Sequence, residues 1–292
     1  SIDTTQAVQQ ADTVVVVVPV IVDETAKPDF SAIDSATRDI AGGLKQNTLI
    51  CYETTLPIGT TRNRFGPLLQ EISGLDYETD FYLAYSPERV FSGRIFADLR
   101  TYPKLVGGIN DQSTQRAITF YESVLDFDDR PDLDQPNGVW NLGKSEAAEM
   151  AKLIETTYRN VNIALANEFA IHAEELSIDI GNVIQASNSQ PFSHIHNPGV
   201  AVGGHCIPVY PKFYLSTHEN ASLPQAAISV NESMPIRAVE QLKRAFGNDI
   251  TKKRVAILGA AYRGGVKETA FSGVFSLVTQ IANNGWDPLV HD

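Results

Sequence analysis

Cysteine is scarce in this sequence, with only Cys51 and Cys206 among 292 residues. Two thiols so far apart do not make a disulfide framework, and their rarity favours a reducing compartment. Positive charge is also in deficit, because 35 Asp and Glu outnumber 23 Lys and Arg, for a formal net charge of −12. Without a clustered basic stripe we expect no nucleic-acid partner, although helix N-termini can still hold phosphate groups.

Long apolar runs are missing as well. The longest, residues 14–22, includes Pro19 and is too short to span a bilayer. The first residues do not form a signal-peptide pattern, so we expect a cytoplasmic protein that does not contact a membrane. The composition, 43% hydrophobic and 20% charged, is that of a globular protein, and the length suggests about two domains.

The first part of the chain alternates between short apolar segments and helical patterns. Residues 14–18 are five consecutive valines, typical of a strand buried on both faces of a parallel sheet. Further strands are predicted at 48–53, 81–85 and 104–108, and helices at 29–44, 60–72 and 112–124. This alternation predicts a doubly wound α/β sheet.

A long helix is predicted from Ser145, because apolar residues recur at helical spacing up to Phe169 and no glycine or proline occurs before Gly181. About 30 helical residues span roughly 50 Å, which is more than one small domain needs. We therefore expect this helix to link domains or to pack against a partner subunit. A second helix is predicted at 232–246.

The α/β pattern returns at Arg254. A strand at 255–258 runs into the glycine-rich segment 259–265, and a helix at 272–284 precedes a strand that starts at 288. One βαβ unit cannot bury its own faces, so this segment is expected to open a domain. The buried type of strand within the first twenty residues is likewise expected to belong to the later part of another domain. These patterns predict the interior of a longer protein.

Ligands of doubly wound sheets bind outside the carboxyl ends of the strands. Pro19, Thr54, Thr55 and Glu88 follow predicted strands directly, so we expect them to converge on one pocket. The alternative is that they are ordinary turn and cap residues. The glycines of 259–265 could hold a phosphate, or could simply end a buried strand.

Two further groups of residues could carry chemistry. Lys152, Thr156 and Arg159 share one helical face, where they could bind a sugar phosphate or polarise a hydroxyl, or form a solvated stripe. Cys206 follows Gly203 and Gly204, which leave room for a substrate beside the sulfur. Its thiolate could be a nucleophile, or its thiol a small buried hydrophobic group.

Three motifs occur in this order: SPERV at 86–90, KLIETTYRNVNIALANE at 152–168 and VGGHCIPV at 202–209. With them the chain resembles the UDP-glucose/GDP-mannose dehydrogenase family, especially the branch that oxidises UDP-N-acetylhexosamines. The resemblance covers nearly the whole chain. It implies two Rossmann-like doubly wound domains, both incomplete here, joined by a central dimerisation domain with a long helix. The expected division is an NAD-binding domain at 1–142, a central helical domain with the cysteine at 143–246, and the beginning of a UDP-sugar-binding domain at 247–292.

The resemblance also implies a reaction. It is the four-electron oxidation of the C6 alcohol of a UDP-sugar to a carboxylate with two NAD⁺, and the expected sugar is N-acetylmannosamine or N-acetylglucosamine. Cys206 matches the nucleophile that forms a thiohemiacetal and then a thioester. Lys152 matches the lysine that assists deprotonation, Glu88 the carboxylate implicated in thioester hydrolysis, and Thr55 the threonine that orders water.

Binding residues are implied in the same way, along with a homodimer formed through the central domain. The cofactor residues are Val18, Pro19, Val20 and Thr55. The substrate residues are Arg89, Val90, Lys152, Thr156, Arg159, Gly203, Tyr262 and Arg263. No metal site is predicted.

Several positions depart from the family pattern. Thr156 stands where an asparagine is usual, Tyr210 where an aspartate is usual, and Ala270 where an arginine is usual. An arginine that reaches in from the neighbouring subunit has no match, and Gln190, His194 or His196 could replace it. The alternatives are therefore a UDP-glucose 6-dehydrogenase, an enzyme that stops at the aldehyde, or a diverged nucleotide-sugar-binding protein without catalysis.

Overall fold

The computed structural model describes residues 3–91, 93–246 and 253–292. The chain divides into two compact units, a first unit of Ser1–Ile154 with Lys212–Thr217 and a second unit of Glu155–Pro211 with His218–Asp292. The third predicted domain would begin at residue 247, which lies outside the described residues. The three-domain division stays a prediction.

The first unit contains a mixed sheet of five strands. In chain order these strands are β1 (Thr13–Val16), β4 (Leu49–Tyr52), β5 (Tyr82–Tyr85), β6 (Lys104–Gly108) and β7 (Val139–Lys144). They lie side by side in this same order. The pairs β1–β4, β4–β5 and β6–β7 are parallel, whereas β5–β6 is antiparallel. Between β1 and β4 the chain forms a small hairpin of β2 (Ile21–Val22) and β3 (Pro28–Asp29).

The helices of this unit include the three predicted ones, with shifts at their ends, and two further ones. They are α1 (Thr4–Gln9), α2 (Ser31–Gly43), a π-helical turn (Thr61–Phe65) that continues into α3 (Gly66–Ser73), α4 (Ile95–Thr101) and α5 (Asp111–Val124). A local contact explains why α5 begins at Asp111. The Asn110 side chain accepts a hydrogen bond from the Ser113 N–H and caps the first turn. The strands β2, β3 and β7 and the helices α1 and α4 were not predicted.

The valine run does form a strand, but the prediction that both of its faces are buried is wrong. Val16 is buried, whereas Val15 is 40% and Val17 67% exposed. Within the described residues β1 pairs on one side only, with β4, so it lies at the edge of the sheet. The strand that is buried on both faces is β4, because all four of its residues are inaccessible to solvent.

The predicted long helix is confirmed as α6 (Ser145–Glu175), which has 31 residues. Its residues up to Ile154 belong to the first unit and the later ones to the second. The remaining elements are α7 (Ile180–Ser187), α8 (Tyr210–Thr217), α9 (Ser222–Phe246), β8 (Arg254–Leu258), α10 (Gly273–Asn283) and β9 (Asp287–His291). β8 and β9 pair in parallel, as the predicted βαβ pattern requires. The architecture is thus α/β with a sheet that is mainly parallel.

Candidate active site

The strands β1, β4 and β5 run parallel and end at one edge of the first unit's sheet, here called the carboxyl edge. The segments that follow them are tied together there. The Thr54 hydroxyl donates a hydrogen bond to the Val18 carbonyl oxygen at 2.7 Å, and the Glu88 N–H donates to the Glu53 carbonyl oxygen at 3.1 Å. Thr55 is 5% exposed. The structure therefore brings the ends of all three strands to one place.

Lys152 and Glu88 meet at this edge. The Lys152 Nζ donates a hydrogen bond to the Glu88 carbonyl oxygen, and Lys152 is 8% exposed. The Glu88 carboxylate accepts from the N–H groups of Arg89 at 2.5 Å and of Val90 at 2.7 Å through its Oε1. The Lys152 ammonium is thus held at the Glu88 backbone, and one oxygen of the Glu88 carboxylate is anchored by the two residues that follow it.

The neighbouring predicted substrate residues line a small cavity. The Arg89 Nη1 donates to the Pro103 carbonyl oxygen at 3.0 Å, and its guanidinium lies 6.0 Å from the Tyr102 ring centre. Glu88, Arg89 and Val90 border this cavity together with Asp98 and Lys104. Among the predicted cofactor residues, Val20 is buried, Val18 is half-buried and Pro19 is exposed.

The carboxyl edge also holds a buried charged cluster that was not predicted from the sequence. The Lys104 Nζ lies 3.0 Å from the Glu53 Oε1, which also accepts a hydrogen bond from the Tyr121 hydroxyl at 2.6 Å. Lys104 starts β6, and the antiparallel direction of that strand brings its start to the edge where β5 ends. A parallel strand would have placed Lys104 at the opposite edge. Burial, together with the neighbouring Cys51 and Glu53, raises the pKa of Tyr121 well above its ordinary value.

Glu149 was also missed, although it lies on α6 one turn before Lys152. Its side chain is fully buried, and its carboxylate accepts from the Gly59 N–H at 2.5 Å, the Thr61 N–H at 2.9 Å and the Thr61 hydroxyl at 2.7 Å. It therefore fastens the segment that follows Thr55 to the helix that carries Lys152. The i, i+3 spacing of Glu149 and Lys152 places both on one face of the helix, and this spacing could have indicated Glu149 from the sequence.

In the second unit, the segment before Cys206 packs closely against the connection between β8 and α10. A Cβ added to Gly203 would lie 2.7 Å from the Tyr262 Cβ, and one added to Gly204, whose φ is +89°, would lie 3.0 Å from the Tyr262 ring. Such distances leave no room for a side chain at either position. The two glycines thus permit close packing against Tyr262.

The side chains around the cysteine form further contacts within the second unit. The His205 Nε2 is hydrogen-bonded to the Glu268 carboxylate. Cys206 itself is partly exposed, and its carbonyl oxygen accepts from the Tyr210 N–H at 2.9 Å. Burial and the charge of Arg159 lower the pKa of His196. The Cys206 thiol is therefore the accessible thiol of the chain, because Cys51 is buried.

The other predicted substrate residues occupy different environments. Thr156 is fully buried, the Arg159 Nε donates to the Glu155 carbonyl oxygen at 3.4 Å, and Arg263 is exposed. Gly259 has a φ of +98°, and a Cβ added there would have no atom within 4 Å. This open glycine directly follows β8, the position where nucleotide phosphates bind in doubly wound sheets.

The residues present fit parts of two nucleotide sites. At the carboxyl edge, the apolar turn around Val20 and the hydroxyl groups of Thr54 and Thr55 suit the nicotinamide end of a dinucleotide. The open turn at Gly259 suits a nucleotide phosphate. A doubly wound sheet with turns of this kind at the carboxyl ends of its strands is typical of nucleotide-binding α/β proteins.

Comparison with known proteins identifies the family. Residues 1–125 match the NAD binding domain of the UDP-glucose/GDP-mannose dehydrogenase family, and residues 146–234 match its central domain. Together the two matches cover most of the chain. The chain belongs to the UDP-glucose/GDP-mannose dehydrogenase family.

Individual relatives agree with this assignment. The chain is 34% identical, over 97% of its length, to a UDP-N-acetyl-D-mannosamine dehydrogenase of Methanocaldococcus jannaschii, of which it covers 62%. It therefore spans about three fifths of the length of this curated relative. The structure of a UDP-D-ManNAc dehydrogenase from Pyrococcus horikoshii has a TM-score of 0.88 at 32% identity, over 99% of this chain and 69% of that one. An NDP-N-acetyl-D-galactosaminuronic acid dehydrogenase from Methanosarcina mazei has a TM-score of 0.85 at 27% identity, over 99% of this chain and 63% of that one.

Proposed function

We propose that the protein containing this chain is an NAD-dependent nucleotide-sugar 6-dehydrogenase. Its substrate is UDP-N-acetylmannosamine or UDP-N-acetylglucosamine, and its product is the corresponding uronate. The observation that carries the proposal is the contact between Lys152 and the Glu88 backbone at the carboxyl edge of an NAD-binding domain. It puts an ammonium group and a carboxylate where a doubly wound sheet binds its ligand.

Each residue has a role that follows from its chemistry. The Lys152 ammonium assists removal of the C6 hydroxyl proton and stabilises the oxyanion that results. The Cys206 thiolate adds to the C6 aldehyde, and the thiohemiacetal becomes a thioester when a second hydride leaves C6. Glu88 acts through water in hydrolysis of the thioester, which returns the thiol and releases the carboxylate. Thr55 orders water at the same edge.

The proposed binding residues lie in both units. Val18, Pro19, Val20 and Thr55 would hold the nicotinamide end of NAD⁺, which when bound accepts one hydride in each oxidation. The proposed sugar-nucleotide contacts are Arg89, Val90, Lys152, Thr156, Arg159, Gly203, Tyr262 and Arg263. The exposure of Arg263 and the open turn at Gly259 support a phosphate contact there.

The assembly is part of the same proposal. We assign residues 1–142 to the NAD-binding domain, 143–246 to a central helical domain and 247–292 to the start of the UDP-sugar-binding domain. An apolar stripe on α6 supports a homodimer through the central domain. Tyr158, Leu165 and Phe169, spaced i, i+7 and i+11, are 52%, 44% and 42% exposed on one face of this helix. No described helix is long and apolar enough to cross a membrane, and we propose a cytoplasmic location.

The deciding experiment counts NADH formed per UDP-sugar by the protein that carries this chain. The proposal predicts two NADH and one uronate per sugar. Cys206→Ser should abolish turnover and keep UDP-sugar binding, because the serine hydroxyl is a much weaker nucleophile at neutral pH. Cys51→Ala is the matched control and should keep turnover, since Cys51 lies in the core of the sheet. Unchanged turnover in Cys206→Ser would exclude the covalent step.

The departures at Tyr210 and Ala270 favour a second candidate, a nucleotide-sugar-binding protein without catalysis. Tyr210 replaces a usual carboxylate with a neutral phenol, and Ala270 removes a usual cation. Tight UDP-sugar binding without any NADH would support this candidate. A single NADH per sugar and no uronate would instead indicate an enzyme that stops at the aldehyde, and turnover of UDP-glucose in preference to the N-acetylhexosamines would indicate a UDP-glucose 6-dehydrogenase.

A further inference from the structure

The segment that leads to and passes Cys206, residues 194–207 and here called the cysteine loop, has no helix or strand of its own. Its backbone groups need partners from elsewhere. Asn162 on α6 supplies two of them. Its Nδ2 donates to the His194 carbonyl oxygen at 2.7 Å, and its Oδ1 accepts from the His196 N–H at 2.9 Å. One amide thus pairs with the loop backbone as a neighbouring strand would.

Three buried asparagines form a network that contacts the loop at two further residues. The Asn167 Oδ1 accepts from the Gly199 N–H at 2.9 Å, while its Nδ2 donates to the Asn231 Oδ1 at 2.9 Å. The Asn231 Nδ2 donates to the Asn160 carbonyl oxygen at 3.0 Å, and the Asn160 Nδ2 lies 3.4 Å from the Ile207 carbonyl oxygen. These three residues are 0%, 5% and 2% exposed. The network therefore reaches the residue next to the thiol.

We propose that Asn160, Asn162, Asn167 and Asn231 form an amide clamp that positions Cys206. They are positioning residues, because their contacts are with the loop backbone and with one another. An amide suits this task, since it donates and accepts at once and adds no charge beside a thiol. Three of the four lie on α6 and the fourth on α9, so the clamp joins the cysteine loop to two long helices.

The importance of the clamp for catalysis rests on the proposed function, but its effect on the loop does not. Removal of the Asn162 amide leaves two backbone groups without their partners, and the loop should open more often. The Cys206 thiol then becomes more accessible to a small reagent. An acyl-transfer step, by contrast, should slow, because it needs a fixed sulfur position.

The test uses the protein that carries this chain and two measurements that need no turnover. In Asn162→Ala we expect iodoacetamide to alkylate Cys206 about five- to tenfold faster, and the backbone amides of 194–199 to exchange hydrogen faster by a similar factor. Asn162→Asp keeps the acceptor for the His196 N–H, so its alkylation and exchange rates should lie between those of Asn162→Ala and the wild type. Peptides from α10, which carries no clamp residue, report any general loosening of the second unit and should exchange hydrogen at the wild-type rate.

The matched control is Asn182→Ala, which removes an exposed asparagine of the same unit whose Nδ2 contacts Asp179. It should leave both rates unchanged. Wild-type alkylation and exchange rates in Asn162→Ala would overturn the clamp, and so would equal acceleration in the control variant or in the α10 peptides. If both rates rise as expected while the wild-type protein makes no NADH, the clamp stands and the proposed dehydrogenase function fails.

Discussion

Single residues show how burial sets the chemistry of this chain. Glu149 accepts three hydrogen bonds that favour its ionised form, yet the removal of its carboxylate from water outweighs them and raises its pKa to about 7 from 4.5. As the pH falls, this carboxylate therefore takes up its proton at a higher pH in the folded protein than in the unfolded chain. Folding stability should therefore fall as the pH rises from about 4.5 to about 7.

Glu149→Gln tests this linkage. At pH 5 the variant should be less stable by about 1–3 kcal/mol, because an amide NH₂ group replaces an oxygen that faces N–H donors. Between pH 5 and 7 the difference should narrow by up to about 1.4 kcal/mol per pH unit, since only the wild type loses stability there. Urea unfolding of both proteins at several pH values between 5 and 7 measures this difference in the free energy of unfolding. Glu71→Gln, at an exposed position on α3, should show no such change, and a pH-independent difference for Glu149→Gln would contradict the assignment.

The two cysteines differ in their exposure to solvent. Burial raises the pKa of the Cys51 thiol to about 12, and its side chain is inaccessible, whereas Cys206 is partly exposed. We expect native protein at pH 8 to take up one carbamidomethyl group from iodoacetamide, on Cys206, and protein unfolded in urea to take up two. Mass spectrometry of peptides locates the label. Native Cys206→Ser should remain unlabelled, and labelling of Cys51 there would show that the sheet opens.

At the scale of elements, the reversed strand β6 organises the carboxyl edge. Its direction brings Lys104 to Glu53 and Tyr121, and its Gly107 allows close approach of the end of β7. A Cβ added to Gly107 would lie 2.0 Å from the Lys144 carbonyl oxygen. Because the overlapping atoms of Lys144 and Ser145 are backbone atoms, they have little freedom to move away.

Gly107→Ala should therefore destabilise the first unit by about 1–3 kcal/mol or more. Gly138→Ala is the matched control, because a Cβ at Gly138, just before β7, meets nothing within 4 Å. It should change stability by no more than about 0.5 kcal/mol. Urea unfolding followed by tryptophan fluorescence compares the two, with Trp140 in β7 as a local reporter. Equal effects of both substitutions would refute the steric argument.

At the scale of the whole molecule, the exposed stripe of Tyr158, Leu165 and Phe169 bears on assembly. Apolar side chains this exposed on one helical face are typical of an interface. Leu165→Glu should turn a dimer into a monomer, because a carboxylate would lose its water at the contact. Sedimentation velocity gives the result. Gln115→Glu adds the same charge at an exposed position on α5 and should remain dimeric; a monomeric wild type would exclude the stripe as a stable interface.

Much of this molecule follows from local patterns. Helical spacing predicts α6 to within a residue of its start at Ser145, and apolar runs between turns predict β4, β5, β6 and β8. Motif order alone identifies the family and points to Lys152, Glu88 and Cys206. These features depend on neighbours in sequence, so one chain is enough to reveal them.

Tertiary structure decided the rest, because it concerns groups that are distant in sequence. Lys104 and Glu53 meet only because β6 runs antiparallel to β5, and Glu149 reaches Gly59 only because α6 starts beside the segment after β4. Asn231 completes the clamp from another helix. The sequence by itself determined which side chains are available and on which elements they lie. Strand direction and helix packing, which depend on the burial of whole faces at once, determined which of them touch.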